Sequence, residues 1–111
     1  MADCLFCSIA AGTIPADVVL ESDDVIAFND INPAAPVHVL VIPKRHTDSA
    51  ADLGPEDSGV LSALFEAAAT VGRGIEGGWR LVTNVGADAG QSVFHLHFHV
   101  LGGRTMSWPP G

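Results

Sequence analysis

The sequence predicts one α+β domain spanning residues 1–111, and three features lead to that prediction. The chain has 111 residues, 48% of them hydrophobic, which suits one compact core and is too little for two. One long stretch, from about Pro55 to Gly72, has the three and four residue apolar spacing of an amphipathic helix. Five shorter stretches have the composition of strands, at residues 18–22, 25–29, 37–43, 79–84 and 95–101.

The order of these elements indicates how they pack. The short acidic connection Asp23-Asp24 predicts a hairpin between the first two strands. The third strand is apolar on both faces except at His38, which is typical of a strand in the middle of a sheet. A short helix is expected before them, with Asp3 as its N-cap and Gly12 as its stop. The long helix is expected to bury a stripe made of Val60, Leu61, Leu64, Phe65, Ala68 and Val71.

The charge balance excludes some classes of partner. The formal net charge is -8, and the chain has only five lysines and arginines. Because nucleic-acid affinity depends mainly on basic side chains that neutralise phosphates, we expect no nucleic-acid partner. A small phosphate ester can still be held by backbone N–H groups, hydroxyls and imidazoles. The chain has neither the long apolar run of a membrane span nor a signal-peptide pattern, so we expect a cytoplasmic protein that binds no membrane.

The last predicted strand contains three histidines, His95, His97 and His99, at alternate positions. In a strand their imidazoles would share one face while the apolar residues between them would share the other. Three chemistries fit this pattern: a three-histidine metal site, nucleophilic catalysis at phosphorus, and a merely solvated or pH-sensitive face. The spacing alone leaves all three open.

Other motifs are weaker when each is taken alone. Cys4 and Cys7 form a C-x-x-C pair, which is compatible with a redox pair, half of a metal site or two small buried residues. The redox interpretation is disfavoured because no strand can precede the pair. The glycine-bearing loop 85–92 ends at Ser92 and can direct N–H groups at a phosphate. By default Asp30 caps a turn and His46 is a surface residue.

Together these residues resemble the histidine triad (HIT) superfamily, and its Hint branch in particular. The resemblance is carried by the alternating histidines and the apolar pair after them, and by Gly90-Gln91-Ser92-Val93 and Trp108-Pro109-Pro110-Gly111. Segments 28–33 and 41–46 also match the family's patterns, so the resemblance covers nearly the whole chain. It implies an antiparallel sheet of about five strands with one long and one short helix, and a homodimer that joins two sheets.

The resemblance also implies an activity, namely hydrolysis of adenosine 5′-phosphoramidates, AMP-amines and aminoacyl adenylates. His97 would be the nucleophile that forms a nucleotidyl-histidine, His99 would bind the phosphoryl group, Ser92 would reach the leaving group, and His38 would belong to the proton network. Phe28 and Ile31 would contact the base. The remaining substrate-binding residues that the resemblance implies are Asp30, Asn84, Gly90, Gln91, Val93 and, from the partner subunit's tail, Trp108.

The resemblance supports the metal-site interpretation of the cysteines by supplying the two missing ligands. Some bacterial members carry a structural zinc ion on two cysteines and two histidines, which correspond here to Cys4, Cys7, His46 and His95. Such a set is typical of a closed tetrahedral site, and it would remove His95 from the proton network. No organic cofactor is expected. Two other functions remain as alternatives: hydrolysis of dinucleoside polyphosphates, and a purine-nucleotide-binding adaptor with incidental catalysis.

Overall fold

The computed structural model describes residues 4–111 and confirms the α+β fold. The elements are α1 Leu5–Ala10, β1 Val18–Glu21, β2 Val25–Asn29, β3 Val37–Pro43, α2 Ser58–Arg73, β4 Trp79–Val82 and β5 Phe98–Gly102. The five strands form one antiparallel sheet in the order β1-β2-β3-β5-β4. The central strand β3 thus lies between the hairpin and the strand that carries His99.

Both predicted helices are present. A 3-10 turn at Pro55–Asp57 precedes α2, so the helical region begins where the sequence predicts. The N-cap of α1 is Cys4, whose sulfur accepts a hydrogen bond from the Cys7 amide at 3.3 Å. The predicted cap at Asp3 lies outside the described residues. In the part of the chain that the structure covers, no helix is long and apolar enough to cross a membrane.

The histidine strand is shorter than predicted, because β5 begins at Phe98 instead of His95. The Leu96 amide donates to the carbonyl of Thr47, and the His97 carbonyl accepts from the hydroxyl of Thr83. These backbone groups therefore bond outside the ladder of the sheet. The alternation still holds, since every second residue of the segment is buried in one core cluster: Leu96, Phe98 and Val100.

Two apolar layers flank the sheet. The larger core packs α2 against one face, and the smaller core packs α1 against the other through Phe6 and Ile9. Along β3, Val39 and Val41 lie in the larger core while Leu40 and Ile42 lie in the smaller one. The face that α1 covers is the face on which the histidines lie.

The predicted stripe of α2 is partly wrong. Leu64 and Ala68 are fully buried as predicted, whereas Leu61 and Phe65 are 37% and 49% exposed. The buried line of the helix passes instead through Ala67 and Gly72. Because neighbouring positions on a helix differ by about 100°, this line leaves the apolar side of α2 at Leu61 and Phe65 open to solvent.

Gly72 is the position in α2 where a side chain is least tolerated. A Cβ there would overlap the indole ring of Trp79 in β4. We expect Gly72→Ala to lower the free energy of unfolding by about 1–3 kcal/mol, since overpacking outweighs the gain in helix propensity. The matched control is Gly59→Ala in the same helix, where nothing lies within 4 Å of the added carbon. Urea denaturation in which both variants are at least as stable as the wild type would contradict this assignment.

Candidate active site and metal cluster

A cavity of about 370 Å³ opens on the α1 side of the sheet. His97 and His99 line it together with Ser92 and Val93, which precede them in the chain. The loop after β2 forms another part of the wall through Asp30. Phe28 and Ile31, which the resemblance implies would contact the base, also line this cavity.

Hydrogen bonding defines which nitrogen of His97 is available. Its Nδ1 lies 2.8 Å from the carbonyl oxygen of His95. A carbonyl only accepts, so Nδ1 carries a proton, and in the neutral ring Nε2 keeps a lone pair. The side chain is 6% exposed, and its ring centre is 5.0 Å from that of His99. The arrangement holds an unprotonated nitrogen in a fixed orientation beside a second imidazole.

His99 and His38 form a directed chain of hydrogen bonds. The Ala34 amide donates to His38 Nδ1 at 3.0 Å, so the proton of neutral His38 is on Nε2. That Nε2 lies 2.8 Å from His99 Nδ1, which must accept, and the proton of neutral His99 is therefore on its own Nε2. His99 thus presents a hydrogen-bond donor, whereas His97 presents an acceptor.

Burial keeps both members of this chain neutral. Burial is the main cause that lowers the pKa of His99 to about 4; the nearby His97 and His38 rings also lower it, and the Asp30 carboxylate opposes them. Burial also lowers the pKa of His38, against the opposing effect of Asp30 3.5 Å away. At pH 7 the donor at His99 is therefore an uncharged imidazole.

This depressed pKa predicts how stability changes with pH. Between pH about 6.5 and about 4 the unfolded chain protonates His99 and the folded chain does not, so the free energy of unfolding falls as the pH falls. After a discount for partial exposure, we expect His99 to account for about 1–2 kcal/mol of that decrease. Urea denaturation at pH 7 and pH 5 should give a smaller difference for His99→Gln than for the wild type. Equal differences would contradict the assignment.

Asp30 has the turn role expected by default and also reaches the site. Its Oδ1 accepts from the Asn32 amide at 2.9 Å, while Oδ2 faces His38. The side chain is 20% exposed and lines the cavity beside Phe28. One carboxylate oxygen therefore holds the loop, and the other faces the histidine chain.

The glycine loop contributes less to this cavity than predicted. Gly86 and Gly90 have φ values of 88° and 97°, as the predicted tight loop requires. The Gln91 amide is 4% exposed and braces the loop: Oε1 accepts from Gly86, and Nε2 donates to the carbonyls of Asp48 and Val93. The structure therefore does not bring the Gln91 side chain to the cavity, because both of its polar ends are used within the protein.

Two more predicted residues lie elsewhere. Asn84 lines a second cavity of about 400 Å³ on the other side of His99, where Arg80 and Arg104 also lie. Trp108 is 82% exposed and lines neither of these cavities within its own chain. Gly90 approaches Asn84, whose Nδ2 donates to the Ala89 carbonyl.

Sequence reasoning missed one wall of the first cavity. Leu5, Phe6 and Ile9 of α1 line it, and the Phe6 ring meets His97 edge-on with 5.1 Å between ring centres. A signal existed, because Phe6 and Ile9 have the three residue spacing of an apolar helix face. The sequence interpretation used this helix only for its cysteines.

The four residues of the expected metal site come together. The ligand atoms of Cys4, Cys7, His46 and His95 lie within 4.8 Å of one another. The Cys7 sulfur is 3.2 Å from His46 Nδ1 and 3.5 Å from His95 Nδ1, and the Cys4 sulfur is 3.4 Å from the same nitrogen of His95. The separate elements that carry them are α1, the loop after β3 and the segment before β5.

The protonation of the two imidazoles suits a metal ion. His95 Nε2 donates to the Pro43 carbonyl at 2.8 Å, and His46 Nε2 donates to the Asp48 carboxylate at 2.7 Å. Both rings therefore direct an Nδ1 lone pair at the sulfurs, with the outer hydrogen bonds that metal-bound histidines have. Burial and the hydrogen bond from Cys4 raise the pKa of the Cys7 thiol, so a bound cation is what would favour its thiolate. The donor set fits a tetrahedral metal.

The comparisons with known proteins agree with this architecture. The HIT domain family matches residues 11–106, so the chain belongs to the HIT family. It is 50% identical to an uncharacterized HIT-like protein of Synechocystis over 98% of this chain and 97% of that protein. Its fold is similar to that of a HIT family hydrolase from Legionella pneumophila, with a TM-score of 0.93 and 48% identity over 98% of this chain and all of the other. The fold is also similar to that of a HIT family hydrolase from Clostridium thermocellum, with a TM-score of 0.93 and 45% sequence identity over 96% of each chain.

These findings confirm the superfamily that the sequence resembles. Together with the hydrolase neighbours, the two unlike imidazoles at the cavity are consistent with a HIT hydrolase.

Proposed function

We propose that this HIT protein is of the Hint type and hydrolyses the P–N bond of purine nucleoside 5′-phosphoramidates, acting as one domain over residues 1–111. The observation that carries the proposal is the pair of unlike imidazoles: His97 offers a lone pair and His99 offers a proton, with ring centres 5.0 Å apart. The cavity they share is within the size range of small-molecule sites.

The residues that line the cavity support a place for each part of the proposed substrate. The base would lie against Phe28 and Ile31, and Asp30 would accept hydrogen bonds from the ribose hydroxyls. The phosphoryl group would then lie between His97 and His99, near Val93. An uncharged donor such as His99 can bind a phosphoryl oxygen without withdrawing the lone pair of the neighbouring nucleophile.

The reaction would proceed in two displacements. His97 Nε2 attacks phosphorus and the P–N bond to the leaving amine breaks, while the Ser92 hydroxyl supplies the proton that the amine needs. Water then attacks the nucleotidyl-histidine, returns a proton to Ser92 and releases the nucleotide. His97 keeps its orientation through both steps because Nδ1 remains bonded to the His95 carbonyl.

The metal cluster has a structural role in this proposal. Cys4, Cys7, His46 and His95 would hold one zinc ion, and four protein ligands leave no position for a reacting water. A reducing cytoplasm would keep both thiols available for the ion.

The proposed assembly is a homodimer. Support for it comes from α2, whose apolar side chains Leu61 and Phe65 are exposed, and from β4, which is the edge strand of the sheet beside β5. The exposed Trp108 would then reach the nucleotide site of the partner subunit. The expected result is a dimer by light scattering at micromolar concentration.

One observation favours a second function, hydrolysis of dinucleoside polyphosphates. Arg80 and Arg104, two of only five lysine and arginine side chains in the sequence, line the cavity on the far side of His99. Guanidinium groups in that place suit an anionic leaving group, such as a second nucleotide joined through phosphates.

Parallel assays with two substrates distinguish the two functions. The zinc-loaded protein is given adenosine 5′-phosphoramidate and diadenosine polyphosphate in parallel, and kcat/KM is compared. We expect the phosphoramidate to be preferred by at least about 10²-fold. A preference for the polyphosphate that is lost in Arg80→Gln would favour the second function, and turnover of neither substrate would favour a nucleotide-binding adaptor.

A further inference from the structure

The metal cluster and the nucleotide cavity share one structural element, the helix α1. Two of the four cluster residues, Cys4 and Cys7, belong to α1 or to its N-cap. Three residues of the same helix, Leu5, Phe6 and Ile9, line the cavity. Whatever fixes the position of α1 therefore fixes one wall of the cavity as well.

The helix has little stability of its own. It has six residues, fewer than the 12 or so that an isolated helix needs, and its N-cap is a cysteine sulfur, a weak acceptor. Its buried side chains are Phe6 and Ile9. The cluster adds contacts from α1 to His46 in the loop after β3 and to His95 in the segment before β5.

Two physical connections lead from the cluster to His97. Phe6 stands between the two cysteines in the sequence, is 5% exposed, and contacts the rings of both His95 and His97 edge-on at 6.0 and 5.1 Å. The carbonyl of His95 accepts the Nδ1 proton of His97. One connection is a ring contact with His97, and the other is a hydrogen bond to its Nδ1.

We propose that Phe6 is a positioning residue through which zinc in the Cys4-Cys7-His46-His95 cluster orders the nucleotide site, so that zinc and nucleotide bind cooperatively. Zinc holds α1 on the sheet, α1 holds Phe6 against His97, and the same helix completes the wall against which the nucleotide packs. The inference rests on the proposed zinc and on the proposed function. It adds that metal occupancy sets nucleotide affinity as well as stability.

The first test measures binding alone. Calorimetry gives the Kd of AMP for the full chain loaded with zinc and for the same chain after chelation and dialysis. We expect AMP to bind at least about tenfold more weakly to the zinc-free protein, within the usual range of coupling between sites. Linkage requires AMP to raise the affinity for zinc by the same factor, which competition with a chelator measures. An AMP affinity that zinc changes less than twofold would overturn the proposal.

The second test keeps the four proposed metal ligands and changes Phe6, the residue that connects them to His97. Phe6→Leu retains all four ligand residues, so it should still bind one zinc ion per chain. We expect its coupling factor between zinc and AMP to fall towards one, and kcat on adenosine 5′-phosphoramidate to fall about tenfold from loss of orientation at His97. A purely structural role for Phe6 would lower stability and leave the coupling factor unchanged.

Ile42→Val is the matched control for Phe6→Leu. Ile42 is fully buried in the same apolar cluster as Phe6 but lines neither cavity beside His99. We expect it to keep the wild-type coupling factor and kcat. Equal effects of the two substitutions would show general loosening of the core and would overturn the role of Phe6.

The two tests distinguish three failures: of zinc binding, of the proposed function and of the coupling between zinc and AMP. A protein that binds no zinc removes the basis of the inference. A zinc-loaded protein that binds AMP but turns over no phosphoramidate contradicts the proposed function, whereas the coupling between zinc and AMP remains measurable. Normal turnover with no coupling contradicts this inference alone.

Discussion

His97→Gly is expected to abolish turnover of adenosine 5′-phosphoramidate, lowering kcat by at least about 10⁴-fold, which is the scale seen when an enzyme loses its nucleophile. The physical reason is the orientation and burial of this imidazole. Its Nδ1 donates to the His95 carbonyl, which leaves Nε2 of the neutral ring available as the nucleophile, and the residue is only 6% exposed. His97→Gln, which keeps bulk and hydrogen bonding but is no nucleophile, should be equally inactive.

The measurement that decides this is covalent trapping. Wild-type protein mixed with labelled substrate and quenched in acid should carry labelled AMP on His97, and the glycine variant should carry none. Equilibrium binding of AMP to both proteins is the control for folding. A variant that retains a rate near that of the wild type, or a label on another residue, would contradict the assignment of His97.

The second large effect concerns zinc. We expect purified protein to contain one zinc ion per chain, and the double substitution Cys4→Ser with Cys7→Ser to remove it. A ligand present at about 1,000 times its Kd contributes about 4 kcal/mol to the free energy of unfolding, so Tm should fall by more than about 10 °C. Metal analysis and thermal denaturation measure the two results.

Asp48→Asn provides a graded version of this experiment. Asp48 touches no proposed metal, but its Oδ1 accepts from His46 Nε2 at 2.7 Å. The substitution keeps an acceptor oxygen but removes its negative charge, so we expect metal binding to weaken by less than the about 10–100-fold that is typical when such an outer partner is lost altogether. Chelator treatment should lower the Tm of the wild type and of Asp48→Asn and leave the double cysteine variant unchanged. A further decrease in the double variant would mean that the chelator acts elsewhere.

Much of the fold can be predicted from sequence patterns, because those patterns still hold where the hydrogen bonding differs locally from the prediction. The alternation of histidine and apolar residues places His97 and Phe98 on opposite faces even though β5 begins only at Phe98. An extended backbone alternates whether or not its amides join the ladder. The hydrophobic stripe of α2 was less reliable, because periodicity gives the direction of an apolar face but not how far the sheet extends beneath it.

The site was harder to predict where it depends on contacts between distant segments. The pairing of His38 with His99 requires the register in which Leu40 lies opposite His99, and a single sequence contains no register. The bracing role of Gln91 similarly depends on Asp48, which is remote in the chain. Phe6 was overlooked because an apolar residue in a short helix is ordinarily core, and only its neighbours in space give it another role.

The hydrogen-bond chain that ends at His99 begins at the amide of Ala34. A peptide group neither gains nor loses a proton in the physiological range, so the direction of donation along these hydrogen bonds is fixed. If the first group were a carboxylate or another imidazole, its protonation could reverse the direction of donation. The Ala34 amide cannot do so. The cavity should therefore discriminate between ligands by the lone pairs they present at His99, and a compound with a donor in that place should be rejected whatever its charge.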